Sequence, residues 1–385
     1  MTQTSKTIGA VPASTLGRAT SEAQRAVLRV IPKVELHCHL LGSVRRETFV
    51  DLVRRRGAPI DEAEIAAFYE RGSKPVGVLR VLRALERHLL LEPDDFRRIA
   101  YEYLQDAAAE GVRHAEFFWN PTATMRDTGL AYREAQAGIL AGMREARTDF
   151  GVSALLIPSI DREADASRAL EMVEAVLAAR DPAVPGIGID YRENDRPPEL
   201  FHEAYALARR HGLKATAHAG EFGMPWTNVQ TAVELLKVDR VDHGYTIVDN
   251  PELARRYAER GIVFTIVPTN SYYLRTLPPE RWAVDHPIRA MSALGLKLHP
   301  NTDDPTLHNV TPGGAWELMQ SHLGYDMADL RAMMLNGIDG SWADDDRRAE
   351  WRAAWPVEFD ALTASVGWPG PATFGDRRSG AEPRR

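Results

Sequence analysis

Cysteine is almost absent from this chain, because its 385 residues include one, Cys38. A single cysteine excludes an internal disulfide and any metal site that needs several thiolates. Long hydrophobic runs are also missing, since no apolar stretch approaches the roughly 18–20 residues that cross a bilayer. The first residues are polar and small, without the apolar segment of a secretory signal. We therefore expect a cytoplasmic protein that has no membrane partner.

Positive charge is in deficit, with 47 Lys and Arg against 54 Asp and Glu and a net charge of −7. Nucleic-acid binding needs clustered cations that neutralise phosphates, so this balance argues against a nucleic-acid partner. Residues 1–20 and 366–385 are rich in small, Gly, Pro and charged residues, and they show no period that would bury a face. We expect both to be flexible segments flanking one domain at residues 21–365.

Short apolar or β-branched runs alternate with longer stretches of helical periodicity. The predicted strands are 33–40, 113–119, 153–160, 186–191, 214–221, 239–244, 262–267 and 296–304, with helices between them such as 164–180, 198–212 and 250–261. Eight strand–helix units predict an α/β fold, a TIM-type (β/α)8 barrel in a single domain. An open doubly wound sheet is the alternative, but no G-x-G-x-x-G or P-loop pattern supports its nucleotide-binding form.

The stretch "VELHCHLLGS" places two histidines two positions apart in the first predicted strand. Side chains at i and i+2 share a face of a strand, so His37 and His39 converge while Cys38 points away. Other polar residues also stand near predicted strand ends: His218, Glu221, His243, Asp303 and Asp304. Catalytic residues of such barrels gather at the carboxyl ends of the strands, and this shared position predicts one site.

Three neutral imidazoles and one carboxylate form a suitable ligand set for zinc, with a position left for water. We assign His37, His39, His218 and Asp303 to this set, with one Zn²⁺ per protomer. Taken singly, a histidine here could equally be a hydrogen-bonded core residue, and Asp303 a turn or helix-cap carboxylate. Their common location at strand ends favours the metal site.

Four motifs together point to a known family. "PKVELHCHLLGS", "AHAGE", "RVDHG" and "NTDDP", in this order, resemble the motifs of the adenosine deaminase family within the amidohydrolase superfamily. The resemblance extends from about residue 31 to residue 310. It implies a zinc-dependent barrel that hydrolyses the exocyclic amine of an adenine-type purine, giving the hypoxanthine analogue and ammonia.

The resemblance also implies roles for individual residues. Glu221 matches the acid that protonates the purine ring nitrogen, a role that requires a raised pKa. His243 matches the residue that orients the attacking water, and Asp304 is expected to accept a hydrogen bond from that water. The remaining residues near the motifs are candidates for substrate binding: Leu41, Gly42, Asp190, Glu193 and Gly220.

The substrate itself is left open. Adenosine-specific members carry an aspartate associated with the ribose hydroxyl where this chain has Leu41, which cannot accept that bond. Glu193, in "DYRE", resembles the bacterial adenosine and adenine deaminase-like branch and is a candidate contact to the base. The candidates are adenosine, adenine, and a modified adenine nucleoside or nucleotide such as 6-aminodeoxyfutalosine or N6-methyl-AMP. We place a nucleoside first, because aromatic and arginine residues in "TNSYYLRTLPPERW" could accommodate more than a bare base.

Other zinc hydrolases fit less well. Deaminases with the H-x-E and P-C-x-x-C motifs need more cysteines than this chain has. A two-metal amidohydrolase bridged by a carboxylated lysine would need a lysine after the fourth strand, and "GIDYREND" has none. A non-catalytic zinc-binding barrel is a further alternative, and the presence of Glu221 and His243 argues against it. The sequence carries no signal for an oligomeric state.

Overall fold

The fold is described by a computed structural model that covers residues 20–69 and 78–368. Eight parallel strands form one sheet in chain order, each paired with the next. They are β1 Lys33–His39, β2 Val112–Trp119, β3 Ser153–Asp161, β4 Gly186–Asp190, β5 Lys214–Ala219, β6 Arg240–His243, β7 Val263–Ile266 and β8 Lys297–Pro300. All eight predicted strands are confirmed.

The sheet closes on itself through the residues that follow β8. Cys38 and Asp303 form a parallel bridge. The backbone N–H of His39 donates to the carbonyl of Asp303 at 2.7 Å, and the N–H of Asp303 donates to the carbonyl of His37 at 2.9 Å. With helices packed around this closed sheet, the protein has the predicted TIM-type (β/α)8 architecture.

Helices occupy every connection between strands. The α-helices are α1 Glu22–Val30, α2 Arg46–Arg56, α3 Glu62–Tyr69, α4 Val78–Ala84, α5 Pro93–Ala109, α6 Pro121–Thr128, α7 Tyr132–Phe150, α8 Ala166–Ala178, α9 His202–Arg210, α10 Trp226–Thr231, α11 Pro251–Glu259, α12 Ser271–Thr276, α13 Trp282–Asp285, α14 Pro287–Ala293, α15 Pro305–His308, α16 Pro312–Ser321, α17 Met327–Gly340 and α18 Asp345–Ser365. Shorter 3₁₀ or π turns are Leu41–Ser43, Leu85–Leu89, Pro198–Phe201, Ala232–Leu236, Tyr245–Asp249 and Pro279–Arg281. None of the described helices combines the length and apolar content of a membrane span.

Local sequence explains where several helices begin. The Ser21 hydroxyl accepts the N–H of Gln24, and the Gln24 side chain accepts the N–H of Ser21, so a capping box starts α1. Proline stands in the first turn of α5, where its missing N–H costs nothing. These signals agree with the apolar periodicity of the helices, and local and global preferences therefore favour the same fold.

Two predicted strands extend too far at their carboxyl ends. β5 ends at Ala219 rather than at residue 221, because Gly220 takes a left-handed φ of 68°. β8 ends at Pro300 rather than at residue 304, and Asp303 likewise has a φ of 65°. The bend at Gly220 carries Glu221 out of the β5 ladder, whereas Asp303 still pairs with β1 through its bridge to Cys38.

The terminal segments predicted to be flexible, residues 1–20 and 366–385, lie mostly outside the described residues. Residues 1–19 and 369–385 lie outside the described residues. Within the predicted C-terminal tail, residues 366–368 are described, and Trp368 is half-buried against the apolar core. That core is continuous between the strands and the surrounding helices.

Candidate metal centre and active site

The four predicted metal ligands meet at the carboxyl ends of β1, β5 and β8. Asp303 Oδ1 lies 3.1 Å from His39 Nε2 and 3.5 Å from His37 Nε2. His39 Nε2 lies 3.2 Å from His218 Nε2. Cys38 is buried in the apolar core on the other face of β1. The strand alternation read from the sequence therefore brings His37 and His39 together.

The second ring nitrogen of each of these histidines faces an oxygen. The pairs are His37 Nδ1 with Thr265 Oγ1 at 3.2 Å, His39 Nδ1 with Asp190 Oδ2 at 3.3 Å, and His218 Nδ1 with Asp242 Oδ2 at 3.3 Å. An acceptor at Nδ1 favours the tautomer that carries its proton there. Each Nε2 lone pair is then directed toward the shared centre, as in histidines that bind metals.

Asp242 is held firmly as the partner of His218. Its carboxylate accepts hydrogen bonds from the hydroxyls of Thr216, at 2.8 Å, and Thr265, at 2.7 Å. Burial opposes ionisation of Asp242, but the hydrogen bond to His218 and the neighbouring His37 outweigh it and hold the pKa of this carboxyl well below its usual range. Asp242 therefore remains a charged acceptor that orients His218.

The donor atoms suit a divalent cation. Ligand atoms of four buried residues lie within 4.8 Å of one another: His37, His218, His243 and Asp303. Among the residues that the structure describes, His37 Nε2 is buried and has no hydrogen-bond partner. Burial disfavours protonation of His39, but Asp190 and Asp303 outweigh it and raise the pKa of His39 well above its usual value. Nitrogen and carboxylate donors of this kind suit zinc.

His243 lies beside this centre and is held by its other nitrogen. Its Nδ1 lies 3.3 Å from the Tyr245 hydroxyl, which donates to the carbonyl of Val267 and accepts the N–H of Val267, both at 3.0 Å. His243 has a left-handed φ of 64°, an uncommon conformation for a residue with a side chain. Burial, with His37 and His218 nearby, lowers the pKa of His243 well below its usual value. A neutral His243 therefore presents Nε2 as an acceptor.

Glu221 faces His243 across the site. Its Oε2 lies 3.4 Å from His243 Nε2, and its Oε1 accepts a hydrogen bond from Asn270 Nδ2 at 2.8 Å. Burial, followed by the charge of Asp303, raises the pKa of Glu221 well above its usual value. A carboxyl that stays protonated near neutral pH can act as a general acid.

Glu193, predicted to contact the substrate base, is placed behind the turn that carries Glu221. Its Oε1 accepts the N–H of Gly220 and its Oε2 accepts the N–H of Glu221, both at 3.0 Å. Asn228 Nδ2 donates to Oε1 at 2.7 Å. Two successive amides around a residue with positive φ form an anion-binding nest, and Glu193 fills it. Glu193 and the Gly220 amide thus hold the turn that carries Glu221, and their predicted contact with the substrate stays a prediction.

Asp304 packs directly over Gly42. A Cβ added to Gly42 would lie 1.8 Å from Asp304 Oδ1, so a side chain at position 42 would displace this carboxylate. His308 Nε2 lies 3.9 Å from Asp304 Oδ2. Gly42 therefore serves the site by giving Asp304 room, and no described contact assigns it to a substrate.

Leu41 and Asp190 also take places that the sequence did not specify. Leu41 is 5% exposed within the apolar core. Asp190 Oδ2 faces His39, while its Oδ1 accepts a hydrogen bond from Asn120. Asp190 borders the cavity, but these contacts make it an orienting partner of His39.

A cavity of about 490 Å³ opens above the centre. Its described lining consists of His39, Val78, Leu79, Arg80, Leu82, Asp190, Tyr191, Arg192, His218, Glu221, Phe222, His243, Asn270, Asp303, Asp304 and His308. This lining combines the polar side chains of the site with apolar side chains of α4. The cavity is large enough for a small organic ligand.

Several residues of the site were missed by the sequence reading. They are Asp242, Thr265, Asn270, Tyr245 and His308. Asp242 stands inside the quoted motif "RVDHG", where alternation places it on the same face of β6 as Arg240, and the sequence interpretation did not use this signal. Asn270 lies after β7, a strand whose carboxyl end carried no histidine or acid to draw attention.

A comparison with protein-family profiles shows to which family the chain is related. The adenosine deaminase family profile matches residues 32–354. The chain belongs to the adenosine deaminase family. It is therefore a hydrolytic deaminase with the amidohydrolase fold, as the motifs predicted.

Relatives described as adenine deaminases or as an amidohydrolase are similar to this chain along nearly their whole length. An adenine deaminase of Rhodospirillum rubrum is 33% identical over 341 residues, which cover 85% of this chain and 97% of the relative. The crystal structure of an adenine deaminase from Arthrobacter aurescens is 30% identical, with a TM-score of 0.76 and coverage of 88% and 99%. An amidohydrolase from Burkholderia ambifaria, solved with bound zinc, is 67% identical, with a TM-score of 0.90 and coverage of 91% and 97%.

Proposed function

We propose that this protein is a zinc-dependent adenine deaminase, which converts adenine and water to hypoxanthine and ammonia. The observation that carries the choice of adenine is the similarity to adenine deaminases of about one-third identity over nearly full length. This substrate was the alternative in the sequence interpretation, where a nucleoside ranked first. Similarity to these relatives favours the free base.

Zinc would be held by His37, His39, His218 and Asp303, whose donor types suit this ion. Support comes from the buried Nε2 of His37, which has no hydrogen-bond partner in the described chain, and from the zinc in the 67% identical amidohydrolase. When bound, the ion lowers the pKa of a water and supplies the nucleophile at neutral pH. His243 also has a donor atom near the centre. Its Nδ1 faces a phenol rather than a carboxylate or carbonyl, and we assign it to the water.

The protein residues supply the proton transfers. Glu221 donates a proton to the ring nitrogen next to the amine-bearing carbon while that carbon becomes tetrahedral, and its raised pKa keeps the acid protonated. The neutral His243 accepts a hydrogen bond from the attacking water. Asp304 accepts the proton that the water loses. The proton held by Asp304 passes to the amine, which leaves as ammonia, and the hydroxyl proton of the tetrahedral carbon returns to Glu221 as the carbonyl of hypoxanthine forms.

The walls of the cavity agree with a substrate that lacks a phosphate. Arg80 Nη2 lies 2.9 Å from Glu64 Oε1, and Arg192 Nε lies 2.7 Å from Glu163 Oε1. Both arginines that line the cavity are thus already paired with carboxylates. Leu41, outside the described lining of the cavity, lies in the apolar core where adenosine-specific members carry an aspartate, and it offers no acceptor for a sugar hydroxyl. These features favour adenine over N6-methyl-AMP and over an ordinary nucleoside.

A substrate panel tests the proposal. Ammonia release would be measured with adenine, adenosine, 5′-methylthioadenosine, 6-aminodeoxyfutalosine and N6-methyl-AMP. We expect kcat/KM for adenine of about 10⁴ M⁻¹s⁻¹ or more, inside the usual enzyme range. Adenosine should be at least about 10-fold slower, because a sugar hydroxyl left without its partner costs ~1–3 kcal/mol. A nucleoside or nucleotide as the best substrate, or no turnover of any purine, would refute it.

A further inference from the structure

Asn270 is a polar residue that contacts Glu221 and has no role in the mechanism described above. It follows β7, is 1% exposed and lines the cavity. Its Oδ1 accepts the N–H of Tyr272 at 3.0 Å and so caps α12. Because the amide oxygen is committed to this N–H, the amide nitrogen must point the other way. Nδ2 then donates to Glu221 Oε1 at 2.8 Å.

This bond gives the two oxygens of Glu221 different roles. Oε1 already accepts a hydrogen from Asn270, so a proton on Oε1 would leave two hydrogens facing each other. The acidic proton therefore belongs on Oε2, which lies 3.4 Å from His243 Nε2.

The same loop also fixes the protonation of His243. The Tyr245 hydroxyl donates to the carbonyl of Val267, and its oxygen accepts the N–H of Val267. Because the Tyr245 hydroxyl hydrogen is already donated, its oxygen can only accept a hydrogen bond from His243. His243 therefore carries its proton on Nδ1. His243 Nε2 is then a lone pair opposite the proton on Glu221 Oε2. The segment after β7 thus sets one donor and one acceptor side by side.

We propose that Asn270 is a positioning residue that selects Oε2 of Glu221 as the oxygen carrying the catalytic proton. The inference rests on the proposed function for the identity of the proton acceptor, a purine ring nitrogen. It adds that the oxygen of Glu221 that carries the proton is set before the substrate binds, because the Tyr272 N–H fixes the orientation of the Asn270 amide.

Two substitutions separate this role from helix capping. Asn270→Asp keeps an oxygen for the Tyr272 N–H but places an acceptor against Glu221 Oε1, which draws the proton away from Oε2. Asn270→Ala removes both bonds. Asn250 is the matched control, because its Oδ1 caps α11 by accepting the N–H of Leu253 at 3.1 Å. Asn250→Asp and Asn250→Ala change a cap in the same way, at a residue outside the described lining of the cavity.

With the zinc-loaded enzyme and adenine, both Asn270 variants should lower kcat by about 10- to 100-fold, the effect expected when a catalytic group loses its orientation. KM should change less than about threefold, and both Asn250 variants should retain wild-type kcat. Wild-type kcat in Asn270→Asp, or a loss of kcat that the matching Asn250 variant shares, would overturn the proposal.

An infrared measurement tests the inference without turnover. The difference spectrum between the wild type and Glu221→Gln isolates the C=O stretch of the protonated Glu221 carboxyl. With the proton on Oε2, the carbonyl oxygen is Oε1, so losing the Asn270 donor in Asn270→Ala should move this band to higher frequency. An unchanged band would overturn the proposal. If the wild type deaminates no purine but the band moves, the proposed function fails while the positioning role stands.

Discussion

The barrel interior holds two buried polar clusters that differ in how their charges are balanced. The basal cluster consists of Glu116, Arg240, His114 and Trp342, and it lies toward the amino ends of the strands. Arg240 donates to Glu116 and to the carbonyls of Gly340, at 3.0 Å, and Leu36, at 3.1 Å. Its guanidinium carbon lies 4.5 Å from the ring centroid of Trp342. One cation here faces one carboxylate.

The metal-site cluster of His37, His39, His218, His243 and Asp303 has a different balance. Its imidazoles direct nitrogen lone pairs at a common centre, and in the described chain the buried Nε2 atoms of His37 and His243 have no hydrogen-bond partner. Buried polar atoms of this kind are costly unless something binds them. The comparison teaches that buried charge alone does not mark a functional site in this fold. The mark is a set of converging nitrogen lone pairs and a carboxylate, whereas the atoms that the described basal cluster leaves without a partner, Arg240 Nε and Trp342 Nε1, are N–H groups that cannot bind a cation.

The largest effect is expected when two donors of the metal-site cluster are removed. The double variant His37→Ala, His39→Ala should lose nearly all bound zinc and all measurable deamination, because one imidazole and one carboxylate remain of the proposed ligands. Metal analysis of the purified protein checks this. The control is His243→Ala, which should keep its zinc while turnover falls. Full zinc in the double variant, or loss of zinc in the control, would contradict the ligand assignment.

The next effect concerns the acid beside the metal-site cluster. Glu221→Gln keeps the shape of the side chain and removes the proton, so kcat should fall by about 10² to 10⁴ while zinc stays bound. Steady-state kinetics and metal content are measured on the same sample. Glu199→Gln changes an exposed glutamate and should leave both unchanged. Near-normal turnover in Glu221→Gln would exclude the proposed role.

The basal cluster should respond in stability rather than in chemistry. Glu116→Gln leaves Arg240 buried without its counter-charge, which costs about 3–5 kcal/mol in the free energy of unfolding. Denaturant unfolding measures this cost. Glu358→Gln, which breaks the exposed pair with Arg113, is the control and should cost about 0–1 kcal/mol. Equal losses in the two variants would remove the contrast between clusters.

The basal cluster also predicts a dependence of stability on pH. Burial alone would raise the pKa of Glu116, but Arg240 and His114 outweigh it and lower this pKa from 4.5 to about 2. The folded state therefore gains about 3 kcal/mol above pH 4.5, and this gain is lost as pH falls from about 4.5 to 2. Denaturant unfolding across this range checks it. Glu116→Gln should flatten this part of the curve, and an unchanged slope would contradict the assignment.

The smallest effect is expected at the orienting partner of a proposed ligand. Asp242→Asn keeps the size of the side chain but weakens the acceptor opposite His218 Nδ1. Zinc affinity should fall by about 10- to 100-fold, as is usual when a partner of a metal-binding histidine is changed. Competition with a chelator measures the affinity. Asp339→Asn, at the half-buried pair with Lys297, is the control. Unchanged affinity in Asp242→Asn would show that Asp242 does not orient His218.

Sequence reasoning reached the fold and the donors for a definable reason. Alternation along β1 and the rule that barrel sites lie at carboxyl strand ends need no knowledge of side-chain packing, so His37 and His39 could be paired from sequence. The roles of Glu193 and Gly42 could not be predicted from the sequence. Each depends on a neighbour brought close by a turn, the nest at Gly220 and Glu221 in one case and the carboxylate of Asp304 in the other.

The backbone bonds that close the barrel have a consequence for biosynthesis. His37 and His39 are made early in translation, whereas Asp303, whose backbone bonds to both, follows the last strand. Contacts between residues so distant in sequence are slow to form. The ligand set therefore assembles only after the ribosome has produced almost the whole barrel. A nascent chain that stalls before β8 carries three of the proposed ligands, His37, His39 and His218, but lacks Asp303, and we therefore expect zinc to bind late in maturation.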